Sequence, residues 1–210
     1  MADLKPAFAA IARSELFREQ TRAALGTSVP DLTYLFWTRM LDGCKATLHL
    51  VERGFFTDAL ALQRLSIENF AYAVSMLTGK LTLAKLREES HAEVATQAKK
   101  LLERDEPHCA LTLDNKDALG RLLSDAKQRG AKHKGINVHN ELGKELDHIH
   151  GKYRELSLRA GHATMVSAIS QQTPKELAEM LATMNDLLSL INGYASNEVK
   201  TRAAAGDAGA

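Results

Sequence analysis

The sequence predicts an all-α fold, a single up-and-down bundle of about seven helices, and three observations carry that expectation. Apolar residues recur every three or four positions almost throughout the 210 residues. No run of alternating β-branched residues stands between turn signals, so no strand is expected. Only 13 Gly and 4 Pro punctuate the chain, and 45% hydrophobic with 25% charged residues is an ordinary globular balance.

The first helix is expected over residues 3 to 25, carrying Phe8, Ile11, Leu16 and Leu25, with Gly26 and Pro30 closing it. The second starts at Asp31. Its stripe runs through Leu32, Leu35, Phe36, Met40, Cys44, Leu48 and Val51 and stops at Arg53-Gly54, where a cation and a left-handed glycine suit a helix C-terminus. Thr57 and Asp58 open a third helix over 57 to 77, with Gly79 just beyond it. A fourth over 81 to 104 ends before Pro107, and a fifth over 115 to 129 ends at Gly130. The sixth, over 140 to 160, carries Leu142, Leu146, Ile149, Tyr153 and Leu156, and Gly161 breaks it. Thr173-Pro-Lys-Glu176 combines an N-cap, a proline at the first helical position and a glutamate three residues after the cap, and opens the last helix through residue 199. With no internal repeat and no long linker, residues 1–200 are expected to form one helical domain and residues 201–210 a frayed, disordered tail.

Lys and Arg total 27 against 26 Asp and Glu, so no global field recruits nucleic acid or an anionic membrane. Cys44 and Cys109 lack metal or redox spacing and are expected as buried free thiols. No stretch reaches the roughly 18 unbroken apolar residues of a membrane span, and the first residues lack a signal-peptide core. A cytoplasmic protein without a membrane association is expected.

The third helix belongs at the centre, because Leu60, Leu62, Leu65, Ile67, Phe70, Tyr72, Val74, Met76 and Leu77 surround its axis. Its polar residues Arg64, Glu68 and Ser75 share a stripe, and Arg64 with Glu68 can touch at i, i+4. On the sixth helix His150, Arg154 and Ser157 form a polar border beside Tyr153, and His162 follows the break. Met180, Met184, Leu187, Leu188 and Ile191 of the last helix suit the core or, alternatively, a homodimer seam.

The segment Leu41 to Gly54, then Ala59 to Glu68 with its Arg64-x-x-x-Glu68, and later Tyr153-Arg-Glu-Leu-Ser157 with His162, resembles a family of uncharacterised bacterial helical proteins, domain of unknown function 5677. The resemblance spans residues 32 to 165 and implies that Arg64, Glu68, Tyr153, Arg154, Ser157 and His162 carry the family pattern. It brings no activity with it.

Three chemistries compete for the chain. A binding or regulatory module, holding an unidentified small polar ligand or a protein partner at a polar cluster between helices, is the leading expectation. The alternative is a metal-independent ribonuclease resembling HEPN-type toxins, with an Arg on phosphate and a His on the reacting hydroxyl. Its Arg-to-His spacing departs, since His162 is eight positions after Arg154, although Lys127, Arg129, Lys132, His133 and Lys134 could contact phosphates. A third reading, a di-metal site from Glu88-x-x-His91 and Glu145-x-x-His148, is disfavoured because Leu83, Leu86, Val94 and Leu101 set the buried face of the fourth helix elsewhere. No metal and no cofactor is therefore expected. Glycine-rich phosphate loops, G-x-S-x-G elbows and H-E-x-x-H motifs are lacking.

Overall fold

A computed structural model of the chain describes residues 3–103, 111–128, 146–160 and 173–207. These residues are all-α: α1 Lys5–Leu25, α2 Asp31–Glu52, α3 Phe56–Leu77, α4 Leu83–Glu103, α5 Leu113–Gln128, α6 Asp147–Ala160 and α7 Pro174–Asp207, with a short 3₁₀ turn Gly26–Ser28. Among them no helix is long and apolar enough to cross a membrane.

By its contacts the chain divides into two compact units, Met1–Lys80 with Val138–Ala210, and Leu81–Asn137. The division escapes a search for linkers because the second unit is inserted at a tight turn: α3 ends at Leu77 and Gly79 takes a left-handed φ of 72° two residues later.

In the first unit α1 and α2 run antiparallel, with Arg22 paired to Asp31 at the turn and Lys45 to Glu15 further along. α2 and α3 are again antiparallel, Thr47 lying by Ala59 and Phe36 stacking on Tyr72. α6 runs back along α3, and α7 packs against both α1 and α3. The core joins Ile11 of α1, Trp37, Leu41 and Leu48 of α2, Ile67 and Phe70 of α3, Ile149 and Leu156 of α6, and Met184, Leu187 and Ile191 of α7. α3 buries Ile67, Phe70, Ala71 and every residue from Ala73 to Leu77, so its expected central place holds, although Leu65 is exposed and Glu68, Asn69 and Tyr72 are half-buried.

Several expectations need correction. Leu16 and Leu35 were placed on buried stripes yet are 62% and 57% exposed, because Ser14 and Thr21 of α1, and Tyr34 and Trp37 of α2, take the inward positions instead. Met180, Met184, Leu187, Leu188 and Ile191, by contrast, lie in the core of this unit, the first of their two expected places. The expected tail is helical to Asp207. Ala203 to Ala205 are the strongest helix formers. Arg202 extends the helix by pairing with Glu198 one turn back at 2.6 Å and donating from Nη1 to the Ser28 carbonyl at 2.8 Å.

In the second unit α4 and α5 pack on each other, and their buried side chains are Ala92, Ala98 and Ala126. Val94 and Leu101, expected inside, are exposed, since two helices have too little surface to enclose large side chains. Cys44 is buried and unbridged, and burial pushes its thiol up to about 12 despite a hydrogen bond with Ser66. Cys109 lies outside the described residues.

Candidate functional site

α3 and α6 meet over a polar cluster built by their antiparallel crossing. Arg64 and Glu68 lie one turn apart on α3, as do Tyr153 and Ser157 on α6, so two turns interlock. Arg64 Nε donates to Ser157 Oγ at 3.0 Å, and its Nη2 donates to Tyr153 Oη at 3.2 Å. Nη2 also pairs with Glu68 Oε1 at 2.9 Å. Tyr153 Oη donates to the same carboxylate oxygen at 3.0 Å, and Ser157 Oγ donates to the Tyr153 carbonyl at 2.8 Å. Each hydroxyl therefore gives one hydrogen bond and accepts one, with no proton competed for. The guanidinium carbon stands 5.2 Å from the Tyr153 ring centroid, within cation–π range.

The cluster is neither core nor open surface. Side chains of Arg64 and Glu68 are 28% and 25% exposed, so the pair is stronger than a free surface ion pair and still reachable by solute. Burial by itself would lower the Arg64 pKa, but the Tyr153 hydrogen bond and the Glu68 charge outweigh it and hold the guanidinium above its ordinary value. Among the described residues Nη1 of Arg64 finds no hydrogen-bond acceptor.

Four of the six expected residues thus come together: Arg64, Glu68, Tyr153 and Ser157. Arg154 does not. At about 100° per residue it projects a quarter-turn from Tyr153, on the outward side of α6 with Leu158, and both are exposed. His162 lies outside the described residues, as do Lys132, His133 and Lys134 of the basic loop. Among the described residues no three His, Cys, Asp or Glu side chains converge as a metal-binding group.

A second polar seam, on the other flank of α6, was not singled out from the sequence. Lys152 pairs with Glu155 at 2.9 Å and with Glu179 of α7 at 3.3 Å. Arg159 pairs with Glu155 at 3.3 Å and with Glu176 of α7. Glu176 is in turn fixed by the capping box, its N–H donating to Thr173 Oγ1 at 3.2 Å and its carboxylate accepting from Thr173 N–H and Oγ1 at 3.1 and 2.9 Å. Burial pushes the Glu155 and Glu176 carboxyls up, but hydrogen bonds and charge from Lys152 and Arg159 on the first, and from Thr173 and Arg159 on the second, bring both below the usual range. The signal was present as Lys152-x-x-Glu155-x-x-x-Arg159, a helical charge ladder that reads as a solvated face until its α7 partners are known. Between α1 and α7 lies an apolar groove of about 270 Å³ lined by Phe17, Thr21, Ala24 and Val199, away from both seams.

The chain matches no protein-family model, no curated protein and no solved structure.

Proposed function

We propose that the protein is a cytoplasmic binding or regulatory module that takes a small ligand bearing anionic oxygens at Arg64. The observation that carries this reading is the guanidinium fixed through Nε and Nη2 while Nη1 meets no described acceptor, in a group roughly one quarter exposed. A preoriented planar fork loses less freedom on binding an oxyanion than a free arginine does. Glu68 and Tyr153 keep the fork in place without ligand, and an incoming carboxylate or phosphate would share or replace the Glu68 contact. Because Arg64 belongs to α3 and its supports to α6, occupancy would be felt as a change in the packing of two helices, which suits a regulatory role.

Thermal unfolding of the full chain with inorganic phosphate, citrate and adenosine monophosphate tests the proposal. At about 100 times its Kd a ligand adds about 2.7 kcal/mol to the folded state. For a chain of this size that raises Tm by about 5–10 °C. The increase should vanish in Arg64→Gln and shrink in Arg64→Lys, which keeps the charge and loses the fork. No increase with any of the three anions, or an equal one in Arg64→Gln, overturns the proposal. Incubation with single-stranded RNA in chelator tests the nuclease alternative in parallel, since Arg64-dependent cleavage would replace the binding-module reading.

A further inference from the structure

α6 is an unusual member of its unit. Among the described side chains of its 14 residues only Ile149 and Leu156 are fully buried and apolar, joined by Leu146 just before it, whereas α2 buries Tyr34, Trp37, Met40, Leu41, Cys44, Leu48 and Val51. The rest of its attachment is polar and two-sided. At about 100° per residue, Ile149 and Leu156 form a narrow stripe with Tyr153 and Ser157 on one flank and Lys152 and Arg159 on the other. The first flank meets α3 and the second meets α7. A helix seated on so narrow an apolar stripe can roll about it, and the two polar seams oppose that roll from opposite sides. Rolling by one quarter-turn would take Tyr153 and Ser157 off Arg64.

We infer that Lys152 and Arg159 are positioning residues for the Arg64 site, holding α6 by their ion pairs to Glu179 and Glu176 so that Tyr153 and Ser157 stay on the guanidinium. The anchor on α7 is itself firm. Glu176 sits in the Thr173 capping box, and the next turn of α7 is tied to α3 where Gln63 Nε2 donates to the Met180 carbonyl at 2.7 Å. α3, α6 and α7 thus close a triangle in which α6 is the side held by charge. A small cleft lined by Gln63, Lys152, Arg159 and Thr183 runs along this seam, whose side chains are partly exposed, Lys152 by 33% and Glu179 by 39%. The positioning role stands on the helix geometry; its effect on ligand affinity rests on the proposed binding at Arg64.

The decisive experiment compares wild type with the double variant Lys152→Gln, Arg159→Gln, neither residue touching Arg64. Two signals need no ligand: amide hydrogen exchange over residues 147–160, and the ¹H–¹⁵N resonance of the Arg64 Nε–H at slightly alkaline pH, where the bond to Ser157 slows its exchange with water. The variant should exchange about tenfold faster across α6, with α2 and α3 unchanged, and should lose the Nε–H resonance. Arg159→Lys should retain both signals. Phosphate affinity should fall about tenfold, the equivalent of about 1.4 kcal/mol. Retention of both ligand-free signals in the double variant overturns the inference, whatever phosphate does. Failure of phosphate to bind wild type would instead overturn the proposed function, leaving those two signals to judge the positioning role. Should the double variant not fold, Glu179→Gln removes one α7 anchor alone, and unchanged α6 exchange there counts against the inference equally.

Discussion

Gly43 of α2 faces Ser66 of α3 so closely that a side-chain carbon on the glycine would collide with Ser66 Oγ, while Ser66 Cβ would stand at an ordinary 3.6 Å. The hydroxyl is held in place by its own hydrogen bond to the Leu62 carbonyl at 3.0 Å. Two effects oppose each other in Gly43→Ala: overpacking costs about 1–3 kcal/mol. Helix propensity returns about 1 kcal/mol. The substitution should therefore destabilise by up to about 2 kcal/mol in urea unfolding. In a Ser66→Ala background the collision is gone, and the same change should stabilise by about 1 kcal/mol. A cycle with the same sign in both backgrounds would contradict the close approach.

Tyr153→Phe isolates what the hydroxyl between Arg64 and Glu68 does. It deletes both the 3.2 Å bond from Arg64 and the 3.0 Å bond to Glu68, but leaves the 2.9 Å ion pair and the ring under the guanidinium. Because the cluster is partly solvated, the expected loss is about 1 kcal/mol rather than the several of a buried ionic network. Arg154→Ala, one position along and exposed, should lie within about 0.5 kcal/mol of wild type. Equal urea midpoints for the two variants would show that the Tyr153 hydroxyl has no energetic weight.

Much of this was legible before any coordinates. Periodicity placed the helices, and the i, i+4 spacing of Arg64 with Glu68 on a helix apolar all round implied converging partners from elsewhere. Tyr153 and Ser157 were found through the resemblance and the border of their stripe. What stayed hidden depends on which helices meet. Leu16 and Leu35 fit an apolar stripe by spacing and residue type, and only the neighbouring helix decides that Ser14 and Trp37 are covered in their place. Arg154 and Arg159 are both arginines beside the α6 stripe, yet one faces solvent and the other meets Glu176 of α7, a pairing across 17 positions that helical spacing cannot specify. The inserted second unit left no composition signal, since its boundary is an ordinary glycine turn.

Acid should loosen α6 in a defined direction. Glu155 and Glu176 have pKa values below the ordinary glutamate value when folded, so protons bind the unfolded chain more readily. Their contribution is fully present above the unfolded value of about 4.3 and is lost as pH falls through the depressed folded values. Amide exchange over residues 147–160 should therefore be flat above about pH 5, once intrinsic rates are corrected, and its protection should decline below about pH 4. Protection that rises on acidification would show that these carboxylates do not hold the helix.

The first turns of α2 carry a different kind of weakness. Thr33 Oγ1, Tyr34 Oη and Trp37 Nε1 are buried, and none has a hydrogen-bond partner among the described residues. Burial pushes the Tyr34 phenol up, with Arg22 and Arg202 pulling it partway back, so it remains a neutral hydroxyl. An unmatched buried hydroxyl costs about 1–3 kcal/mol, but removing it helps only where the replacement fills the same space. Trp37→Phe would leave a gap at a fully buried position, and its cost of about 2 kcal/mol would hide the gain. Thr33→Val avoids this, because valine has nearly the same shape and the Thr33 backbone N–H keeps its 2.9 Å bond to the Pro30 carbonyl. The substitution should raise stability by about 1 kcal/mol, read as a later urea midpoint at unchanged slope. An earlier midpoint would mean that the Thr33 hydroxyl is paired in solution and that this end of α2 is satisfied after all.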